Sequence, residues 1–148
     1  NLTTMILLVF GISGVTASVV FNRLYRLGAA QFIIHAILLL ALSLGFMLTS
    51  AGYTATMFAL SFIWGIGISC IGLALQMRVL QLAPDATDVA TAIFSGIFNA
   101  GIGAGALFGN QIMRHVGLEY IGFSGAVLAM IALGIFVFFN FRYRTQNS

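Results

Sequence analysis

The chain has 148 residues, of which 61% are hydrophobic and 6% charged, against about half and about a quarter in water-soluble domains. A soluble core of this size would leave too much apolar surface in water, so the composition points to a lipid bilayer as its solvent. The net charge of +3 comes from six arginines, no lysine and three acids; they stand singly or in pairs with no basic stripe, which argues against nucleic acid as a partner.

A helix needs about 20 mostly apolar residues to cross the hydrocarbon, and five stretches meet that condition: 2–21, 29–49, 56–80, 89–113 and 120–141. The segments between them, 22–28, 50–55, 81–88 and 114–119, hold six of the nine charged residues and the single proline, Pro84. Connections this short force successive helices to run antiparallel, so the expected fold class is an all-α integral membrane protein, a five-helix up-and-down bundle. Residues 1–9 contain no basic side chain, so they do not read as a secretory signal and the chain is expected to begin within a longer protein.

The first span carries Gly14 and Ser18 on one face and is followed by Arg23 and Arg26. The second holds His35 near its arginine-side third, where an interhelical hydrogen bond is favoured over a proton relay. In the third span Ser61, Gly65, Ser69, Gly72 and Gln76 recur at steps of four, four, three and four, which lines small and polar side chains along one face. Trp64, with Phe94 and Phe98 of the fourth span, offers ring surface to a substrate, although core packing explains these aromatics as well. Cys70 has no cysteine partner, so neither a disulfide nor a cysteine metal site is expected.

Between the third and fourth spans the sequence reads Leu-Ala-Pro-Asp-Ala-Thr-Asp-Val from Leu82. Pro84 is expected to stop the third helix, Asp85 or Thr87 to cap the fourth, and Asp88 to complement its positive end. Arg23 and Arg26 emerge on the same membrane face as Asp85 and Asp88, so a cytoplasmic gate of ion pairs is the alternative to plain capping. Such surface pairs contribute about 0 to 1 kcal/mol each, enough to bias two conformers.

The fourth span sets Gly101, Gly105 and Gly109 on one stripe and Ser95, Asn99 and Gly103 on another, the small-xxx-small pattern of closely packed membrane helices. An amide in mid-membrane is costly unless paired, and usually faces a bundle interior or a wet cavity. Asn99 and Gln76 are therefore the candidate lining residues. The fifth span ends in Arg142 and Arg144, which with Arg23, Arg26 and Arg78 puts five of the six arginines on one side. The positive-inside rule makes that side cytoplasmic, with the start of the chain outside and its end inside. No acid falls in mid-membrane, so a coupling carboxylate for protons would lie elsewhere.

The stretch from Gln76 to Gln111, with Leu-Ala-Pro-Asp-Ala-Thr-Asp-Val-Ala, Phe-Ser-Gly-Ile-Phe-Asn and Gly-Ile-Gly-Ala-Gly-Ala-Leu-Phe-Gly-Asn, resembles helices ten and eleven of sugar-efflux transporters in the drug:proton antiporter branch of the major facilitator superfamily. The loop after the first span is similar to that superfamily's Gly-x-x-x-Asp-Arg-x-Gly-Arg motif at Ser18, Asn22, Arg23, Tyr25 and Arg26, with only the arginines intact and Asn22 in place of the acid. The resemblance implies that the five spans are helices eight to twelve of a twelve-helix protein, most of its C-terminal half, in the cell (inner) membrane. It implies that the third span walls a central cavity, that the first and fourth flank it, and that Trp64, Ser69, Gln76 and Asn99 line it. It further implies export of a sugar or related small molecule by proton antiport and alternating access, with the N-terminal half as missing partner; without that half the chain is not expected to transport.

Two other readings compete. Gly11-Ile-Ser13-Gly14 and Gly122-Phe-Ser124-Gly125 match the Gly-x-Ser-Gly of an intramembrane serine protease, but such matches arise by chance among 17 glycines, no histidine follows Ser124, and His35 lacks the glycine-rich helix context of rhomboid proteases. No catalytic residue, metal ligand or cofactor is therefore assigned. A split half-transporter or a non-transporting membrane scaffold would use the same glycine stripes, and an exporter of drugs or nucleosides would look much the same.

Overall fold

The computed structural model describes residues 2–47, 49 and 53–146; side-chain surroundings are described for all of these but 2, 3, 27 and 143–146. Five long helices follow one another: α1 (Leu2–Leu24), α2 (Ala29–Met47), α3 (Thr54–Leu82), α4 (Thr87–His115) and α5 (Tyr120–Gln146). No strand occurs among the described residues, and all five helices are long and apolar enough to span a membrane. The fold is thus an all-α membrane bundle. Satisfying every backbone donor and acceptor within one segment is what a helix does, and hydrocarbon offers no other partner. Residues 48 and 50–52, in the expected connection between the second and third spans, lie outside the described residues.

The helices overrun the apolar stretches at several ends. Arg78 lies inside α3, and Arg142 and Arg144 lie inside α5. Each remaining connection is a compact turn. After α1 a 3-10 turn covers Tyr25–Leu27, and Gly28, at φ +153°, redirects the chain; its N–H donates to Tyr25 O at 3.3 Å and its carbonyl accepts from Phe32 N at 2.9 Å. Only a residue without Cβ adopts that φ freely. Gly117, at φ +132°, plays the same part after α4, its N–H donating to Ile112 O at 3.0 Å. Between α3 and α4 another 3-10 turn, Pro84–Ala86, starts with the proline, whose absent N–H costs nothing at that position.

The capping expectation at α4 needs correction. Neither Asp85 nor Thr87 caps it: Ala86 occupies the N-cap position, no side chain closes it, and Thr87 is already helical. The 3-10 turn, with Ala86 N–H donating to Ala83 O at 3.2 Å, feeds directly into α4 and leaves the Asp85 side chain outside the cap geometry.

Packing is unequal around the bundle. α3 lies between α1 and α2, and α2 lies between α3 and α5, while α4 touches α3 and α5 only lightly. The core is a seam of Ala17, Phe21, Phe32, Ile33, Ala36, Ile37, Ala41, Cys70, Ala74 and Ala129. Five of those ten are alanines, because in lipid the gain comes from close approach and dispersion, and small side chains permit the closest approach.

Candidate functional site

α3 is the organising element, and its three faces meet three different neighbours. Along α1 the contacts climb in parallel register: Phe10 against Trp64 with ring centroids 5.1 Å apart, Ser13 against Gly65, Gly14 against Ser69, and Ala17 against Cys70, whose thiol points at the Ala17 carbonyl at 3.8 Å. Gly65 is required there, because a Cβ would run into the Ser13 side chain and stand 3.1 Å from the Phe10 ring. On the second face Gly67 comes against the backbone of α2, where a Cβ would lie 3.3 Å from Leu40 N and 3.4 Å from Ala36 O. On the third, Gly72 faces the Phe98 ring of α4, 3.8 Å from where a Cβ would stand.

The small-polar stripe of the third span is therefore shared. Its outer end, Ser61 and Gly65, is buried and its middle, at Ser69, sits against α1, whereas its inner end turns toward α4. Ser69 and Gln76 are half-buried on that stripe. Trp64 is half-buried too, but its ring pairs with Phe10 of α1, while Phe94 and Phe98 pair with each other at 5.6 Å. Packing accounts for all four rings, and the three aromatics grouped in the sequence reading do not form one platform.

Several polar side chains in the spans are satisfied within their own helix. Asn99 Nδ2 donates to Ser95 O at 2.8 Å on its own helix and the residue is exposed. His35 corrects the expectation of an interhelical bond: its Nδ1–H donates to Gln31 O at 2.7 Å, one turn back on α2. The hydroxyls of Ser13, Thr16, Ser18, Ser43 and Ser124 likewise donate to carbonyls three or four residues earlier. This back-bonding is how a helix hides a hydroxyl in hydrocarbon without a partner. It also accounts for both Gly-x-Ser-Gly serines, neither of which turns to a base. Among the described residues, the helices are joined by close fit, with the weak Cys70 thiol to Ala17 carbonyl contact beside it.

α4 is the opposite case. None of its residues is buried, and the positions a Cβ would take at Gly96, Gly101, Gly103, Gly105 and Gly109 have nothing within 4 Å. The stripe carrying Gly101, Gly105 and Gly109 and the face carrying Asn99 are thus both uncovered by the rest of the chain. On the arginine side, Arg23, Arg26, Asp85 and Asp88 are all exposed, and no ion pair joins the four in this conformation.

Two features escaped the sequence reading. The α2–α5 crossing is made by Gly122 and Gly125: a Cβ at Gly122 would stand 2.8 Å from Leu44 O, and one at Gly125 3.2 Å from the Leu44 side chain. Their spacing of three matches a small-xx-small contact, but it was hidden inside an apparent Gly-x-Ser-Gly. Tyr25 was noted only within the loop motif, yet it closes an aromatic cluster with Phe21 and Phe32, at 4.6 Å and 5.8 Å, and its hydroxyl is buried without a hydrogen-bond partner.

No family model matches the chain. Curated relatives do. A protein of Haemophilus influenzae (strain PittGG), named "Probable sugar efflux transporter", is 60% identical over 144 residues, 97% of this chain and 36% of its own length. Proteins of the same name from Pasteurella multocida (strain Pm70) and Helicobacter pylori (strain HPAG1) are 54% and 46% identical, each across 97% of this chain and 35% and 37% of their own lengths. The chain spans about a third of the length of the relatives it matches. At this level of identity across nearly every residue, and with five helices each able to cross a membrane, the chain is similar to about a third of the length of proteins named as probable sugar efflux transporters.

Proposed function

We propose that this chain is the C-terminal part of a secondary active transporter that exports sugars or related small molecules, by alternating access and proton antiport. The observation that carries the reading is the contrast within the bundle: α3 is packed on two faces, while α4, equally rich in small residues, stands uncovered. Relatives named for sugar efflux are nearly three times as long, so further helices of the same protein are the natural cover for α4, with Gly101, Gly105 and Gly109 as the close-approach stripe.

In this reading α1 and α4 flank a cavity whose wall is α3, and Ser69, Gln76 and Asn99 present hydroxyl and amide groups to sugar hydroxyls, with Trp64 beside them. Asn99, whose amide is held by Ser95 O, keeps its carbonyl oxygen as a free acceptor. No carboxylate stands in mid-membrane, so protons would be coupled through residues outside this chain. Arg23 and Arg26, opposite Asp85 and Asp88 on the cytoplasmic face, are unpaired here and would pair as a gate in the other access state. The arginine distribution puts the start of the chain outside and its end in the cytoplasm of the inner membrane.

The test is sugar movement in inside-out vesicles bearing the full-length protein that contains this chain. Accumulation that needs a proton gradient, collapses with a protonophore and weakens in Gln76→Leu and Asn99→Leu supports the reading. Accumulation that ignores the gradient removes antiport, and stable membrane assembly with no transport of sugars, nucleosides or drugs turns the assignment to a scaffold or half-transporter.

A further inference from the structure

The outward cleft between α1 and α2, floored by α3, holds a cavity of about 430 Å³. Its walls are Val20 and Leu24 of α1, Phe32, Ala36 and Leu39 of α2, and Cys70 of α3. At the arginine end a second cavity of about 210 Å³ continues it, sharing Leu24, Phe32 and His35 and adding Gly28 and Gln31. The character changes along this path, from hydrocarbon walls to an amide and an imidazole at the mouth. Arg23 directly precedes Leu24, and Arg26 comes two residues before Gly28; both are exposed and hold no carboxylate. No acidic residue lines either cavity.

We propose that this cleft seats one anionic phospholipid of the leaflet on the arginine side, an acyl chain lying in the α1–α2–α3 groove and the phosphate held by Arg23, Arg26 and the Gln31 amide. Charge complementarity selects the occupant. Neither arginine lines the cavities themselves, but both stand within two residues of the lining in sequence at its polar end and lie exposed there, and basic sites between membrane helices are where anionic headgroups bind. Length agrees as well: from Gly28 to Leu42 the groove follows about 21 Å of helix, which is one leaflet of a hydrocarbon core of about 30 Å with its headgroup region. The cavity between α2 and α5 is a built-in contrast. It is larger, about 560 Å³, and lined by Leu38, Ala41, Leu42, Phe123, Ala126 and Met130 among others; no charged residue lines it or stands next in sequence to its lining, so it takes acyl chains without regard to headgroup. The proposal rests on the membrane setting alone and stands or falls apart from any transport activity.

Native mass spectrometry of the full-length protein carrying this chain tests it, with phosphatidylglycerol and phosphatidylcholine of identical acyl chains supplied at equal mole fraction. Retained phosphatidylglycerol should exceed phosphatidylcholine by about fivefold for each arginine engaged. Arg23→Gln with Arg26→Gln should erase that preference, Arg23→Lys with Arg26→Lys should keep most of it, and Leu39→Trp, which obstructs the groove at a partly exposed position, should lower retention of both lipids. Equal retention of the two lipids by the unaltered protein, or a preference unchanged in the double glutamine variant, overturns the proposal.

Discussion

α3 and α4 are each 29 residues long and both carry glycines at close-packing intervals, yet they meet different fates. Each glycine of α3 has a neighbour within 4 Å of where a Cβ would stand, in Ser13, Leu40 or Phe98; none of Gly96, Gly101, Gly103, Gly105 and Gly109 of α4 has one. A small-residue stripe records that a backbone can be approached closely. It does not record what approaches. In water an uncovered apolar face would be driven shut by the hydrophobic effect, but lipid tails are as apolar as the helix, so α4 can stand apart until a surface of the right shape arrives.

The largest effect is expected where the neighbour is backbone, because backbone cannot yield as a flexible side chain does. Gly122→Leu should lower stability by about 1–3 kcal/mol or more, read as a shifted midpoint when helicity in mild detergent is titrated with sodium dodecyl sulfate. Gly67→Leu, against Leu40 and Ala36, should fall in the same class. A midpoint unmoved in both would mean that α2 is not the hub between α3 and α5.

Gly65→Ala should cost somewhat less, since the obstacle is the Ser13 side chain, whose removal is simple. The pair Ser13→Gly with Gly65→Ala should recover most of the loss despite the helix penalty of about 1 kcal/mol for glycine. Failure of the pair to recover, with each single change harmful, would separate Ser13 from Gly65 and break the parallel α1–α3 register.

Substituting the gate acids is a smaller perturbation. Asp88→Ala should change chain stability by no more than about 0–1 kcal/mol, while altering which membrane face labels engineered cysteines in the full-length protein. Unchanged accessibility on both faces would dismiss the gate.

The smallest expected effect sharpens the comparison most. Gly105→Leu should leave the stability of this chain within about 0.5 kcal/mol, as for other uncovered positions. The same change in the full-length protein should impair assembly or transport. Loss of stability in the isolated chain would mean that α4 packs within it after all, and tolerance in both settings would mean that the stripe faces lipid.

The five helices were legible from hydropathy because membrane spanning is nearly a one-dimensional property: length, apolarity and charge-free runs decide it. The turns were partly legible. Gly28 and Gly117 fall where a positive φ is needed, but the uncapped start of α4 was not foreseen, since a 3-10 turn from Pro84 relieved Asp85 of the task. The site was legible only as residue types. Ser69, Gln76 and Asn99 could be picked as polar groups in apolar spans, yet Trp64 could not be assigned to Phe10, nor His35 to Gln31 on its own helix, because both partners were equally compatible with the sequence.

By itself, then, the sequence determined the class, the number of spans, the side on which arginines gather and the resemblance that the relatives bear out. Tertiary structure decided which small residues are occupied. Gly65, Gly67, Gly122 and Gly125 are filled by Ser13, the Ala36–Leu40 backbone and Leu44, while the α4 stripe waits uncovered. The physical reason is that a one-dimensional pattern fixes the shape of a helix face, whereas contact depends on a second face matching it in three dimensions, within this chain or beyond it.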